Sequence, residues 1–227
     1  MGINPHNITR DFEEALCEYT GARFAVATTS CTMALLLAVA WHLKDDRRKA
    51  DEALPELEAR SHGKLVGDMN AWKMPIEIPK RTYLSVPMSI IHAGGRPTFR
   101  DEQWVGAYQL KPLPVWDYAR MFTSGMYVAG QMQCLSFHAA KILGDTQGGA
   151  ILHDDSEVDA WLRRARFDGR TEHVAPMDDN FSMIGWHAYM SPDVAARLLF
   201  KLSILPKHNV LLLNDDYPDL SEMRIFR

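Results

Sequence analysis

The chain has 227 residues, of which 47% are apolar, 24% charged and 10% aromatic. That balance excludes disordered, collagenous and disulfide-scaffold chains and fits one large domain with at most a short tail. Lys plus Arg number 25 against 29 for Asp plus Glu, a net charge of -4, so no global basic field draws the chain onto nucleic acid or an anionic membrane, although a local basic groove stays open.

In chain order, the first segment predicts a helix. Asn7 or Thr9 can cap it, Asp11, Glu13 and Glu14 suit its positive end, Phe12, Leu16 and Tyr19 recur at helical spacing, and Gly21 ends it. Phe24 to Thr28 is a short apolar run suited to a buried strand, and the polar turn Thr29-Ser30-Cys31-Thr32 leads into an apolar helix from Met33 to Leu43. From Lys44 to Lys73 the composition changes to mixed charge around Pro55, which reads as an exposed, partly helical insertion. Pro75 to Pro79 is strand-like, Ser85 to Ala93 helix-like, Gly94-Gly95 turns the chain, and Pro97 to Arg100 is a further strand. Three apolar runs follow at Leu113 to Trp116, Met132 to Phe137 and Gly149 to His153, then helical patterns at Ser156 to Arg166 and Ser191 to Leu205. Strands alternating with helices predict an α/β domain over residues 1–205, with a mainly parallel sheet covered by helices on both faces. Residues 206–227 carry two weak apolar clusters, Val210 to Leu213 and Met223 to Phe226, and read as a tail or a swapped arm.

Cys17, Cys31 and Cys134 are odd in number and far apart, which fits neither a disulfide framework nor a zinc ribbon and points to a reducing compartment. The longest apolar stretch, around Ala34 to Trp41, is well short of the roughly 20 residues that span a bilayer. The N-terminus lacks a basic segment followed by an apolar one, so the expected location is cytoplasmic. The nine histidines form no His-x-x-x-His pair and no Cys-x-x-Cys occurs, so no metal is expected.

Three places can carry chemistry. The Thr29–Thr32 turn offers helix-start N–H groups and hydroxyls to an anion such as phosphate, although Ser and Thr also cap helices with no ligand present. Asp117 ends an apolar run at the edge where open α/β sheets bind ligands; a carboxylate there needs a cation or an N–H, and a nearby arginine would serve as well as a ligand. Lys141 lies beyond a buried strand and before the glycine-rich Gly144 to Gly149, placed either to lose solvation, as a Schiff-base lysine needs, or to sit on the surface beside a turn.

Together these pieces resemble the DegT/DnrJ/EryC1/StrS family of pyridoxal-phosphate enzymes, mostly sugar aminotransferases of fold type I. Ser30-Cys31-Thr32-Met33-Ala34-Leu35 is similar to the family's Ser-Gly-Thr-x-Ala-Leu turn, preceded by Phe12-Glu13 through Tyr19-Thr20-Gly21. Pro79 to Tyr83 and Gly94 to Asp101 resemble the segment with the ring-stacking aromatic. Trp116-Asp117-Tyr118-Ala119 resembles Glu-Asp-Ala-Ala, Ser136-Phe137 with Lys141 matches Ser-Phe-x-x-x-Lys, and Gly185 to Pro192 resembles Gly-Tyr-Asn-Tyr-Arg-Met.

The resemblance implies a fold-type-I large domain with pyridoxal phosphate bound to Lys141 as a Schiff base, the lysine also moving protons at the substrate carbon. Asp117 would keep the pyridine nitrogen protonated, so that the ring remains an electron sink. Amides of Cys31 and Thr32, with the hydroxyls of Thr32 and Ser136, would hold the phosphate, and Tyr83 would stack on the ring. The sequence departs from the family at Arg120, where Gln or His is usual near the ring hydroxyl, and where a cation can alter ring electronics or meet a substrate carboxylate. It also departs at His187, in place of an asparagine that reaches the partner subunit's phosphate, at Tyr189 in place of arginine, and at Cys31 in place of glycine. Family members carry a further C-terminal small domain, which this chain is expected to lack, and that implies a more open cleft.

The leading expectation is amino transfer to a small-molecule or nucleotide-linked keto substrate by a homodimer with its site at the interface. A second is decarboxylation or rearrangement of an amino acid attached to a larger molecule such as a modified phage DNA base, since short phage-encoded relatives are linked to such modification. A third is a non-catalytic, cofactor-binding or regulatory paralogue.

Overall fold

A computed structural model describes residues 6–45, 73–213 and 217–226. The predicted 44–73 insertion falls almost wholly outside them. Helix α1 (Asn7–Thr20) leads into strand β1 (Phe24–Thr28) and helix α2 (31–45). Then come β2 (Pro75–Pro79), α3 (Ser85–His92), β3 (Arg96–Arg100), β4 (Tyr108–Leu110), β5 (Val115–Asp117), β6 (Met132–Ser136) and β7 (Gly149–His153). Helices α4 (Ser156–Ala165) and α5 (Pro192–Ser203) follow, and two single-turn 3-10 helices lie at Leu220–Glu222 and Arg224–Phe226.

The main sheet has the order β1-β7-β6-β5-β4, and β2 pairs with β3 in a second, two-stranded sheet. An isolated antiparallel bridge between Glu77 and Lys111 joins β2 to the end of β4. β1, β6 and β7 are buried at nearly every position, and successive residues pack on opposite faces as the pleat requires. Val26, Cys134 and Ile151 pack with α2, α3 and α4 on one face, whereas Ala25, Ala27, Leu135, Ala150 and Leu152 pack with α1 and α5 on the other. The sheet is therefore covered by helices on both faces, as expected.

The expected mainly parallel sheet is not what forms. Among the described strands, only β5–β6 and β2–β3 are parallel; β1–β7, β6–β7 and β4–β5 are antiparallel. Parallel neighbours need a crossover of about a dozen residues or more, usually through a helix. Only residues 111–114 separate β4 from β5, and the 137–148 connection between β6 and β7 holds no helix, so both pairs return as hairpins. The geometry still brings one set of strand ends together. The carboxyl ends of β1, β5 and β6 and the amino ends of β4 and β7 share a single edge of the sheet.

Gly21 ends α1 in the left-handed region (φ 82°), its N–H donating to Cys17 O at 2.9 Å. The start differs from the expected one: His6 is the N-cap residue, with no side-chain cap, so Asn7 and Thr9 both lie inside the helix. Glu13 does not face solvent at the helix start but is 3% exposed. β1 is an edge strand, whose outer N–H and C=O groups need partners once a helix covers them. Glu13 Oε1 accepts from Ala27 N at 2.8 Å and from Arg166, while Arg166 also donates to Ala27 O at 2.6 Å. Arg163 donates to Glu13 Oε2 at 2.7 Å and to Ala25 O at 3.2 Å. One buried carboxylate thus ties α1 and α4 to the sheet edge. Removing it takes one of the two carboxylates that face the buried Arg166, which keeps Glu172, and leaves Ala27 N without its acceptor, so Glu13→Ala is expected to cost at least about 1–3 kcal/mol in urea unfolding, the penalty for a buried donor left unsatisfied; a loss well below about 1 kcal/mol, the scale of an exposed pair, would contradict this account.

Candidate active site

Asp117 ends β5 and is 6% exposed. Its Oδ2 accepts from Tyr108 Oη at 2.8 Å and its Oδ1 from Ala119 N at 2.9 Å. Tyr108, on β4 directly across from Asp117, is itself buried and shares a 2.6 Å hydrogen bond with Thr82 Oγ1. Burial pushes the Asp117 carboxyl above its ordinary range, against the Ala119 amide, the Tyr108 hydroxyl and the charges of Lys141 and Arg120, which pull it down. Two protein donors leave room on a carboxylate with about four lone-pair sites, so the donor set fits a further N–H such as a protonated ring nitrogen.

Lys141 lies in the 137–148 connection and is half-buried. Its backbone N donates to His138 O at 2.8 Å, closing a turn, and its charge acts on both Asp117 and Cys31. A Cβ on Gly144 would come within 2.6 Å of Ala139 O and 2.8 Å of Lys141 O, so the turn closes that tightly only on glycine. The loop is moored to α5 through Asp145, which accepts from Lys201 Nζ at 2.7 Å and Arg197 Nε at 2.9 Å. Lys201 and then Arg197, against burial, draw the Asp145 carboxyl down to about 2.

Ser30 caps α2, its Oγ accepting from Met33 N at 3.2 Å while its carbonyl accepts from Ala34 N at 3.0 Å. The helix therefore begins at Cys31, earlier than the expected Met33, and the amides of Cys31 and Thr32 stand in its first turn, where an α-helix supplies no acceptor. Thr32 Oγ1 meets Ser85 Oγ at 2.7 Å, joining the starts of α2 and α3. Cys31 Sγ reaches Cys134 O at 3.7 Å; burial first, then the Asp117 charge, pushes both thiols up, so they stay neutral beside the carboxylate. A Cβ at Gly149 would lie 2.5 Å from Cys31 N, which requires glycine where β7 passes under the turn. Ser136 ends β6 opposite Gly149 on this same edge.

The structure thus brings Asp117, Lys141, Cys31, Thr32 and Ser136 to one sheet edge. Tyr83 is 61% exposed in the turn ahead of α3, near this group through Ser85. His187 faces Asp168 with Nδ1 at 3.0 Å from Oδ2, and Tyr189 packs its ring with His6, Phe167 and His187. The strand-like 187–189 stretch joins the turn through Thr29 N–H to Ala188 O at 2.9 Å. Arg120 differs most from expectation. Its guanidinium is buried and turned to the C-terminal segment, donating to Leu213 O and to Tyr217 Oη at 2.8 Å. Sequence reading missed the roles of Tyr108 and Thr82: only the local alternation Ala107-Tyr108-Gln109-Leu110 marks the strand of Tyr108, which is too short to stand out, and Thr82 lies in the loop between β2 and α3. Among the described residues, no group of three or more His, Cys, Asp or Glu is placed to hold a metal ion. No described helix is long and apolar enough to cross a membrane.

The sequence matches the DegT/DnrJ/EryC1/StrS aminotransferase family over residues 3–51 and 125–210. No curated protein matches it in sequence. Among solved structures, the chain resembles a sugar aminotransferase from Micromonospora echinospora at TM-score 0.63 and 16% identity, covering 87% of this chain and 60% of that one. An aminotransferase of Helicobacter pylori involved in pseudoaminic acid biosynthesis follows at 0.58 and 18%, covering 86% and 57%. DesI, solved with its TDP-sugar product, stands at 0.58 and 21%, covering 90% and 54%. These likenesses establish the fold, that of the fold-type-I large domain, and this chain spans a little over half the length of those proteins.

Because the folded Asp117 carboxyl binds its proton more tightly than the unfolded one, its contribution to stability falls as pH rises from the ordinary carboxylate range through its folded value. Asp117→Asn removes that loss. In the cofactor-free protein the variant is expected to gain stability relative to the parent as pH rises above about 4, the ordinary Asp range; a difference in urea midpoint that is flat with pH would contradict the burial account.

Proposed function

The chain belongs to the DegT/DnrJ/EryC1/StrS aminotransferase family, and on that footing we propose that it is a pyridoxal-phosphate-dependent enzyme that transfers an amino group to a keto sugar carried on a nucleotide. The observation that carries this reading is the convergence of Lys141 and the buried Asp117 on one sheet edge, with the start of α2 beside them. The sugar aminotransferases among the similar structures direct the choice of substrate class.

When bound, pyridoxal phosphate supplies a ring that withdraws electrons from the carbon attached to the substrate nitrogen. Asp117, as its anion, would hold a proton on the ring nitrogen; Tyr108 and Ala119 fix the carboxylate. The amides of Cys31 and Thr32 and the hydroxyls of Thr32 and Ser136 would bind the phosphate, helped by the positive end of α2. Lys141 Nζ would take the proton from the substrate carbon and return it, and Tyr83 would cover the ring. His187, beside the turn, would face the second subunit of a homodimer.

A decarboxylase acting on an amino acid would need a cation such as Arg120 free to meet the substrate carboxylate. Leu213 O and Tyr217 Oη already engage that guanidinium, which favours amino transfer. Reduction with borohydride after loading with pyridoxal phosphate, followed by peptide mapping, is expected to place the pyridoxyl group on Lys141; an adduct on another lysine would overturn the assignment. Asp117→Ala should keep that adduct while amino transfer from glutamate to a nucleotide keto sugar falls by about 10²–10³, the usual loss when one pre-placed electrostatic partner is removed. Full transfer by the variant would refute the role given to Asp117.

A further inference from the structure

After α5 the chain runs back across its own body. Lys207 O accepts from Thr123 Oγ1 at 2.9 Å and Ser124 N at 2.8 Å, and Asn209 Nδ2 donates to Tyr19 Oη at 2.9 Å. Leu212 N then donates to Arg120 O at 3.0 Å. Farther on, Leu220 N donates to Lys80 O at 2.8 Å, and Asp219 pairs with Lys80 Nζ at 3.1 Å. The segment therefore reaches both loops that flank the candidate site, 117–121 and 80–84.

Tyr217 touches the supports of both. Its hydroxyl accepts from Arg120 Nη2 at 2.8 Å and Nε at 3.3 Å, and its ring lies nearly parallel to Trp104, with centroids 6.4 Å apart and 14° between planes. Trp104 in turn packs edge-on against Tyr108 at 4.6 Å and donates from Nε1 to Arg81 O at 2.9 Å. Tyr108 holds Asp117, and Thr82, which is bonded to Tyr108, precedes Tyr83.

We propose that Tyr217 is a positioning residue of the cofactor site, its hydroxyl orienting Arg120 behind Asp117 and its ring bracing, through Trp104, the loop that presents Tyr83. A side chain that merely anchored the segment would need only apolar bulk. A hydroxyl that accepts from two nitrogens of a buried guanidinium instead fixes the direction of a charge that acts on Asp117. The inference rests on the reading of Asp117 and Tyr83 as cofactor contacts.

The test uses the full chain with Tyr217→Phe and Tyr217→Ala, followed by amide hydrogen exchange without cofactor and by absorbance titration with pyridoxal phosphate. Tyr217→Ala should speed exchange at both 119–121 and 82–84 by about 10-fold, the size of one lost hydrogen bond or packing contact, while β6 and β7 amides keep their protection. Tyr217→Phe should restore 82–84 but not 119–121. Half-saturation with pyridoxal phosphate should rise about 10-fold in the alanine variant, with a displaced visible band, which a loss of anchoring alone would not move. Parental exchange at both loops, with an unchanged titration and spectrum in both variants, would overturn the proposal. A parent protein that takes up no pyridoxal phosphate would refute the cofactor reading instead, and the exchange pattern would still decide whether Tyr217 braces the loops.

Discussion

A carboxylate cannot stay buried at the end of a strand unless donors reach it, and in this chain the arrangement around Asp117 follows from that requirement. Oδ1 takes the amide of Ala119, two residues on, which turns the chain sharply out of β5. Oδ2 takes the hydroxyl of Tyr108, which the antiparallel register of β4 sets level with Asp117. The short β4–β5 hairpin thus does two things at once: it departs from an all-parallel sheet and supplies the donor that a buried anion needs. Cys31 and Cys134, kept neutral beside the carboxylate, add no competing charge.

The second constraint is close approach. β7 begins with Gly149 because the turn from β1 into α2 passes within van der Waals contact of it, and any side chain at Gly149 would collide with the backbone at Ser30 and Cys31. The same crowding sets the first-turn amides of α2 level with the ends of β5 and β6, where the candidate phosphate ligands and the carboxylate lie. Farther out, Glu13, Arg163 and Arg166 close the free edge of β1 with side chains rather than with another strand. That keeps the β1 end, and hence the turn, at a fixed distance from β6.

What could be read from the sequence was what depends on local chemistry and period. Alternation and helical spacing located α1 to α5 and most strands within a few residues, and the motif around Asp117 and Lys141 stood out because a strand end followed by a polar or glycine-rich turn is locally encoded. What was not readable depends on distant partners. Strand direction in β4 and β7 is set by connection length, Glu13 turns inward because arginines 150 and more positions away meet it, and Arg120 is engaged by Tyr217, 97 positions on. Tyr108 escaped notice for a related reason: a three-residue strand carries almost no periodic signal, and its function exists only across the register with β5.

The account stands on Lys141 and Asp117 addressing one ring from two sides. A crystal structure of the protein grown with pyridoxal phosphate measures this directly. The account predicts electron density continuous with Lys141 Nζ, the ring nitrogen within hydrogen-bond reach of Asp117 and the phosphate at the start of α2. Pyridoxal phosphate bound elsewhere, or a ring whose nitrogen faces away from Asp117, would contradict it.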